Sequence, residues 1–357
     1  MKPPGSLLSA IRSAIGDANH GDIDELLVTL FRYQIGTCVP WNRLSAHLGI
    51  DPHDVDDWKG IPPIPVAAYK SVWVGIEPPE RCVPEAGGRT FLSSGTTGAE
   101  SSRNGLPDWA LEVYALSVWE GWNRFPAADG VARRVIALMP PPDVAISSSL
   151  SHMAGILVER CGGEFHSPEV DGDWIASTKA RMANAKDPVA VFGTAFAWVH
   201  LFDHDPFWRI RLPEGSLVIE TGGYKGRSRE IPVATLYGWF RDRLGIPDSA
   251  CWSEYGMSEL ASQYWSRGVD GPKLAPPWLR TKAIDPVTGE ECTFGQPGLL
   301  CHVDLANVGG AMAIRTADLG ILTETGGLRC LGRLPGAPLR GCSLATEHWG
   351  VDTEPEG

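Results

Sequence analysis

The sequence predicts an α/β fold whose mostly buried sheet is flanked by helices and which passes into a β-rich C-terminal subdomain. Three observations carry that expectation. Short apolar runs at residues 135–139, 189–193 and 216–220 are each closed by a proline or glycine turn, the pattern of buried strands. Stretches of helical spacing at residues 23–35 and 109–119 precede them. Beyond about Pro272 the turn pairs crowd together (Asp285-Pro286, Thr288-Gly289, Gly309-Gly310, Gly326-Gly327), as short antiparallel strands require. Residues 1–271 are therefore expected to form the α/β core, N-terminal helices included, and residues 272–357 the β-rich subdomain with a polar tail.

In chain order, Leu26, Leu27, Leu30, Phe31 and Ile35 recur at helical spacing and predict an amphipathic helix packed on a larger body. The run Ile61-Pro62-Pro63-Ile64-Pro65 excludes a helix interior and a central strand, because proline lacks the N–H that either ladder uses. Residues 61–70 read as an extended linker. Phe91-Leu92 then lead into a loop rich in hydroxyls and glycine, after which residues 109–119 and 135–139 complete a strand, loop, helix, strand rhythm. The apolar stretch 189–202 is broken by Gly193, Thr194 and His200 and falls short of a membrane span.

At 357 residues with 43% hydrophobic content, the chain is long enough for a large domain with a satellite and a sizeable core. A net charge of -12 without any dense Lys/Arg run leaves no general attraction for a polyanion, which argues against nucleic acid. The apolar stretch Ser6 to Ile11 is too short for a signal peptide, so a cytoplasmic protein is expected. The eight cysteines contain no Cys-x-x-Cys pair and read as free thiols, with Cys301 and Cys330 as buried structural residues. His200 and His204 have the spacing of helical metal ligands, but no Glu follows His200, so a zinc site is not expected. Of the fourteen tryptophans, Trp109, Trp119, Trp122, Trp198 and Trp265 suit either an acyl or aryl pocket or the core.

The most informative string is Ser93-Ser94-Gly95-Thr96-Thr97-Gly98. Glycine lets backbone N–H groups turn inward as an anion-binding nest, and Ser and Thr hydroxyls add rotatable donors, so the loop suits triphosphate oxygens. It is not the usual P-loop, since Ala99 and Glu100, not Lys and Ser/Thr, follow Gly98. A second string, Ser253-Glu254-Tyr255-Gly256-Met257-Ser258-Glu259, and a third, Ile314-Arg315-Thr316-Ala317-Asp318-Leu319-Gly320 followed by Gly332-Arg333, come later in the chain. Taken singly, each residue has a plain structural account: Tyr255 in the core, Glu259 as a solvated loop charge, Asp318 as a turn former.

In order and rough separation the three strings resemble the core motifs of the adenylate-forming superfamily, which includes acyl-CoA ligases and luciferases. The resemblance implies that Ser93, Ser94, Gly95, Thr96, Thr97 and Gly98 handle the β- and γ-phosphates of ATP, and that Tyr255 and Gly256 lie against adenine. It also implies that Ser258 and Glu259 face phosphate and Mg²⁺, and that Asp318 accepts the ribose hydroxyls with Arg333 nearby.

A narrower resemblance, over most of the chain, is to the acyl-protein synthetases of bacterial bioluminescence, the LuxE-like branch. It rests on Ile61 to Pro65 with Lys70-Ser71, on Ser148-Ser149-Leu150-Ser151-His152-Met153, on Gly193-Thr194-Ala195-Phe196, on Glu220-Thr221-Gly222-Gly223-Tyr224-Lys225-Gly226-Arg227-Ser228-Arg229-Glu230 and on Leu339-Arg340-Gly341-Cys342. In that branch a carboxylic acid is activated as acyl-AMP and passed to a cysteine as a thioester. Cys342 matches that position, and Arg340 beside it would help lower the thiol pKa.

Larger superfamily members carry a C-terminal domain with a lysine that contacts the α-phosphate. The resemblance leads us to expect no separate small C-terminal domain here, so charge at the α-phosphorus would fall to Mg²⁺ and to Lys225, Arg227 or Arg229, with Gly222 and Gly223 beside the nucleotide. His152 stands where such enzymes often place an aromatic or His next to the carboxylate, although a satisfied core histidine is an equal reading. The expected reaction is ATP- and Mg²⁺-dependent activation of a fatty or aryl acid, with transfer to a thiol. That thiol is Cys342, coenzyme A, a carrier protein or an acyl reductase partner. Two rivals are a small aryl acid-CoA ligase or antibiotic-pathway adenylating enzyme, and a binding module that holds nucleotide without turnover.

Overall fold

The structure is a computed structural model that describes residues 2–17, 22–93, 101–222 and 231–334. Two compact units interleave along the chain. One comprises residues 1–114, 259–261 and 277–357, the other 115–258 and 262–276.

The first unit opens with helices α1 (Gly5–Gly16), α2 (Ile23–Ile35) and α3 (Val39–His47). The spacing read for residues 23–35 is the buried face of α2, with Leu27, Leu30, Phe31 and Ile35 at 3% exposure or less. Asp22 caps its start, the Oδ1 accepting from Asp24 N at 2.9 Å and Glu25 N at 3.3 Å. The proline run is extended, as expected, but it is not a free linker. Its Ile64–Pro65 is a short strand, β1, followed by the single turn α4 (Ala68–Ser71). Next, β2 (Arg89–Leu92) and β3 (Arg103–Leu106) pair antiparallel, and the chain crosses into the second unit within α5 (Asp108–Arg124).

The second unit is a wound α/β sheet. Strands β4 (Arg134–Leu138), β5 (Gly163–Phe165), β6 (Val189–Thr194), β7 (Leu217–Thr221) and β8 (Cys251–Tyr255) run parallel in the order β5-β4-β6-β7-β8. Helices α6 (Ser149–Cys161), α7 (Trp174–Ala183), α8 (Ala195–Asp203) and α9 (Val233–Leu244) lie between successive strands. Strands β9 (Tyr264–Arg267) and β10 (Lys273–Leu274) continue it antiparallel. The apolar runs at 135–139, 189–193 and 216–220 correspond to β4, β6 and β7, whose near-continuous burial is that of parallel strands covered on both faces. Trp198 sits in that core, its ring 4.8 Å from Phe240 and its Nε1 donating to Ile219 O at 3.2 Å. Trp265 is also fully buried.

The first unit resumes as an antiparallel meander: β11 (Leu279–Ile284), β12 (Pro297–Asp304), β13 (Ala313–Leu322) and β14 (Gly327–Arg333). β1 joins β13 in parallel, Ile64 opposite Ile314. Gly320 keeps this approach close, because a Cβ at that position would lie 2.8 Å from Leu300 Cδ2 and Leu328 Cδ1 and 3.0 Å from the carbonyl of Arg329. One expectation fails: Cys301 is buried on β12, but Cys330 is exposed on β14. No described helix is long and apolar enough to cross a membrane.

Candidate functional site

In the first unit, the Ser/Thr/Gly run lies on the connection from β2 to β3. The two ends of that connection are tied: Ser93 N donates to Ser102 O at 3.1 Å, and Ser93 Oγ accepts from Ser102 N at 3.0 Å. Ser94, Gly95, Thr96, Thr97 and Gly98 lie outside the described residues, as do Gly223, Lys225, Arg227 and Cys342.

Ser102 also reaches the second motif. Its hydroxyl donates to Glu259 Oε1, a buried contact across 157 residues of sequence. Glu259 is not the solvated loop charge that residue type alone allows; it is 2% exposed. Its neighbourhood is fixed by the turn after β12. Asn307 Nδ2 donates to Glu259 O at 2.9 Å and to Ala311 O at 3.1 Å, and Ala261 N donates to Asp304 Oδ2 at 2.9 Å. Gln34 of α2 completes the frame, its Nε2 donating to Asn307 O at 2.8 Å and its Oε1 accepting from Met312 N at 3.1 Å. Gln34, Asp304 and Asn307 are buried, so each polar atom matched here avoids a desolvation cost of about 1–3 kcal/mol. Sequence reasoning missed all three and Ser102. The one available signal was Asp304-Leu305-Ala306-Asn307 ahead of Gly309-Gly310, which reads only as a turn.

The third motif pairs across β13 and β14, where Asp318 stands opposite Arg333 in the register. Arg333 Nε lies 3.3 Å from Asp318 Oδ1, and the Arg333 side chain is 79% exposed. Thr316 Oγ1 accepts from Asp318 N at 3.0 Å and donates to Leu300 O at 3.0 Å, holding the irregular stretch of β13 from which Asp318 projects.

In the second unit, polar residues gather at the C-terminal ends of β7 and β8, where ligands of open parallel sheets commonly bind. Gly222 ends β7 at a φ of +66°, with nothing within 4 Å of where its Cβ would be, so the backbone angle and not crowding selects glycine. Thr221 donates its hydroxyl to Glu254 Oε2 on the neighbouring strand. A Cβ on Gly256 would fall 2.5 Å from Glu254 Oε1, so the glycine of the Tyr255-Gly256 pair makes room for that carboxylate. Burial pushes the Glu254 carboxyl up to about 7, against the hydrogen bond from Thr221 and the charge of Lys273, and burial likewise raises the Glu220 carboxyl. Lys273 Nζ lies 2.9 Å from Ser253 Oγ and 3.4 Å from Ser266 Oγ. The ring of Tyr255 is half-buried and packs 5.6 Å from Tyr264, while Ser258 is buried. His152 is half-buried in the first turn of α6, after the cap in which Ser148 Oγ accepts from Ser151 N at 3.1 Å.

No protein-family model and no curated protein matches the sequence. Among solved structures, 2-hydroxyisobutyryl-CoA ligase in an open conformation with 2-HIB-AMP and CoA is similar over 88% of this chain and 75% of its own, at 13% identity and a TM-score of 0.63. The same ligase in the postadenylation state with 2-HIB-AMP gives 87% and 68%, 13% identity and 0.62. The chain has the fold of an adenylate-forming enzyme. ATP-bound MatB from Rhodopseudomonas palustris is 19% identical over 69% of this chain, with a TM-score of 0.48, and the chain spans 48% of that protein's length.

Proposed function

We propose that this chain is a ligase that activates a carboxylic acid with ATP and passes the acyl group to a thiol. The observation that carries this reading is the Ser102–Glu259 hydrogen bond, which joins the base of the hydroxyl-rich loop to the acidic residue of the second motif. Those two strings are the ones expected to meet around the phosphates and Mg²⁺. Residues 1–271 would then be the adenylation core and residues 272–357 its β-rich subdomain.

The donor chemistry fits Mg²⁺. Among the described residues no group of three or more His, Cys, Asp or Glu could hold a metal ion. Mg²⁺ does not need one, since it keeps several waters and takes one or two carboxylates plus substrate phosphates. Glu259 would supply that carboxylate, with Ser102 orienting it. When bound, Mg²⁺ would neutralise charge on the leaving pyrophosphate. Asp318 would accept the ribose hydroxyls and Tyr255 would lie on adenine.

In the reaction a carboxylate oxygen of the acid attacks the α-phosphorus, the bond to pyrophosphate breaks, and acyl-AMP forms. A thiolate then attacks the acyl carbon and AMP leaves with the bonding pair. Lys225, Arg227 and Arg229 are our candidates for meeting charge at the α-phosphorus, with His152 near the acid and Cys342 as the acceptor of a LuxE-like route. The likeness to 2-hydroxyisobutyryl-CoA ligase favours coenzyme A as a second acceptor. A carboxylate-dependent ATP–pyrophosphate exchange assay over fatty, aryl and heteroaryl acids tests adenylation whatever the acceptor. Exchange with one acid class is expected. No exchange with any acid in folded protein with Mg²⁺ would favour a non-catalytic nucleotide-binding module. Cys342→Ala that spares thioester formation would move the acceptor to coenzyme A.

A further inference from the structure

The proline run lines a groove of the first unit that the proposed reaction does not use. The groove has a volume of about 560 Å³, within the range of roughly 300–1,000 Å³ usual for small-molecule sites. Leu44, Ile50, Ile61 and Ile284 give it apolar surface, and Pro62 and Pro63 give it a stiff wall. Ile61 and Pro62 are buried and β1 is hydrogen-bonded in place, so this wall is already ordered.

Its charges all have one sign. Lys59, Lys282 and Arg315 line the space and no acidic side chain does, in a chain whose net charge is -12. Lys282 Nζ donates to the neutral carbonyl of Lys59, while Glu291, outside the lining, pairs with Lys59 Nζ at 2.6 Å and, with Asp57, also acts on the Lys282 ammonium. Burial holds the Lys282 ammonium below the ordinary lysine range, as expected for a cation partly removed from water.

We propose that this groove binds a small amphipathic organic anion, a carboxylate on an aliphatic or aryl body, with Lys59, Lys282 and Arg315 around the head and the isoleucine and proline wall along the apolar part. A carboxylate would form charge-assisted hydrogen bonds that a neutral head of the same size cannot match. The preformed wall would limit the ordering cost of binding.

Calorimetric titration of the whole chain with octanoate, phenylacetate and octan-1-ol tests this. Saturable binding of one of the acids is expected, with octanol at least tenfold weaker. K59M/K282M should weaken acid binding at least tenfold. Leu48→Glu alters an exposed side chain that also lines the groove, so it leaves the fold intact; it should weaken the acids and spare octanol. Pyrophosphate exchange measured on the same variants should be unchanged, which separates this site from the adenylation reading. Absence of acid binding, equal binding of octanol and octanoate, or undiminished acid binding by both variants would each overturn the proposal.

Discussion

Thr221 donates its hydroxyl to Glu254 across two neighbouring parallel strands, and the carboxyl it serves is pushed up to about 7 by burial. The folded state therefore binds a proton at Glu254 that the unfolded chain, near the ordinary value of 4.5, releases. That contribution to stability is fully present below pH 4.5 and is lost as pH rises through about 7. Glu254→Gln keeps the neutral form at every pH. In urea unfolding it should match the parent protein near pH 5 and exceed it by about 2–3 kcal/mol above pH 8, from the size of the shift. Equal stability at both pH values would show that Glu254 ionises normally.

Gly256→Ala places a methyl group 2.5 Å from Glu254 Oε1, so the buried carboxylate must shift and strain its bond from Thr221. A loss of about 1–3 kcal/mol is expected. In a double-mutant cycle with Glu254→Ala most of that loss should vanish, because the clash has no partner.

Ser102→Ala removes the hydroxyl that holds Glu259 at the base of the loop. By analogy with outer-shell partners of metal ligands, the Mg²⁺ concentration that gives half-maximal pyrophosphate exchange should rise about 10–100-fold. Glu259→Gln should abolish exchange at any Mg²⁺ concentration. An unchanged Mg²⁺ requirement in Ser102→Ala would detach the pair from metal binding.

Arg333→Met breaks an ion pair whose cation is mostly exposed, so unfolding should shift by less than about 1 kcal/mol. Asp318→Ala should raise the KM for ATP in exchange while leaving the fold equally stable. A KM unchanged in both variants would remove the pair from the nucleotide site.

Gln34→Ala should cost about 1–3 kcal/mol, since it leaves Asn307 O and Met312 N buried without their partner. Unfolding of Gln34→Ala at one pH suffices to check it.

The sequence was legible where one element is explained by its own residues. The spacing of Leu27, Leu30, Phe31 and Ile35 is the buried face of α2, and three apolar runs are β4, β6 and β7. It was not legible where a residue answers to a distant partner. Gln34 interrupts the apolar face of α2 because the turn after β12 needs a donor and an acceptor there, more than 270 positions away. Glu254 has no role that its motif announces, since only its neighbours on β7 and in the following turn show that it is buried and bonded. The proline run read as a linker because proline signals a weak strand, and nothing local announces that β13 lies beside it.

That neighbour gives the proline run a protective role. β12 occupies one edge of β13 along most of its length, and β14 covers the other edge only from Asp318 onward. β1 takes the remainder at Ile314 and Arg315, with Val66 N donating to Arg315 O at 2.8 Å. An uncovered edge there would offer open backbone groups to any passing chain, the usual start of intermolecular strand pairing. A two-residue strand that ends in Pro65 and follows Pro63 satisfies the edge and ends the ladder, because neither proline has an N–H with which to recruit another strand.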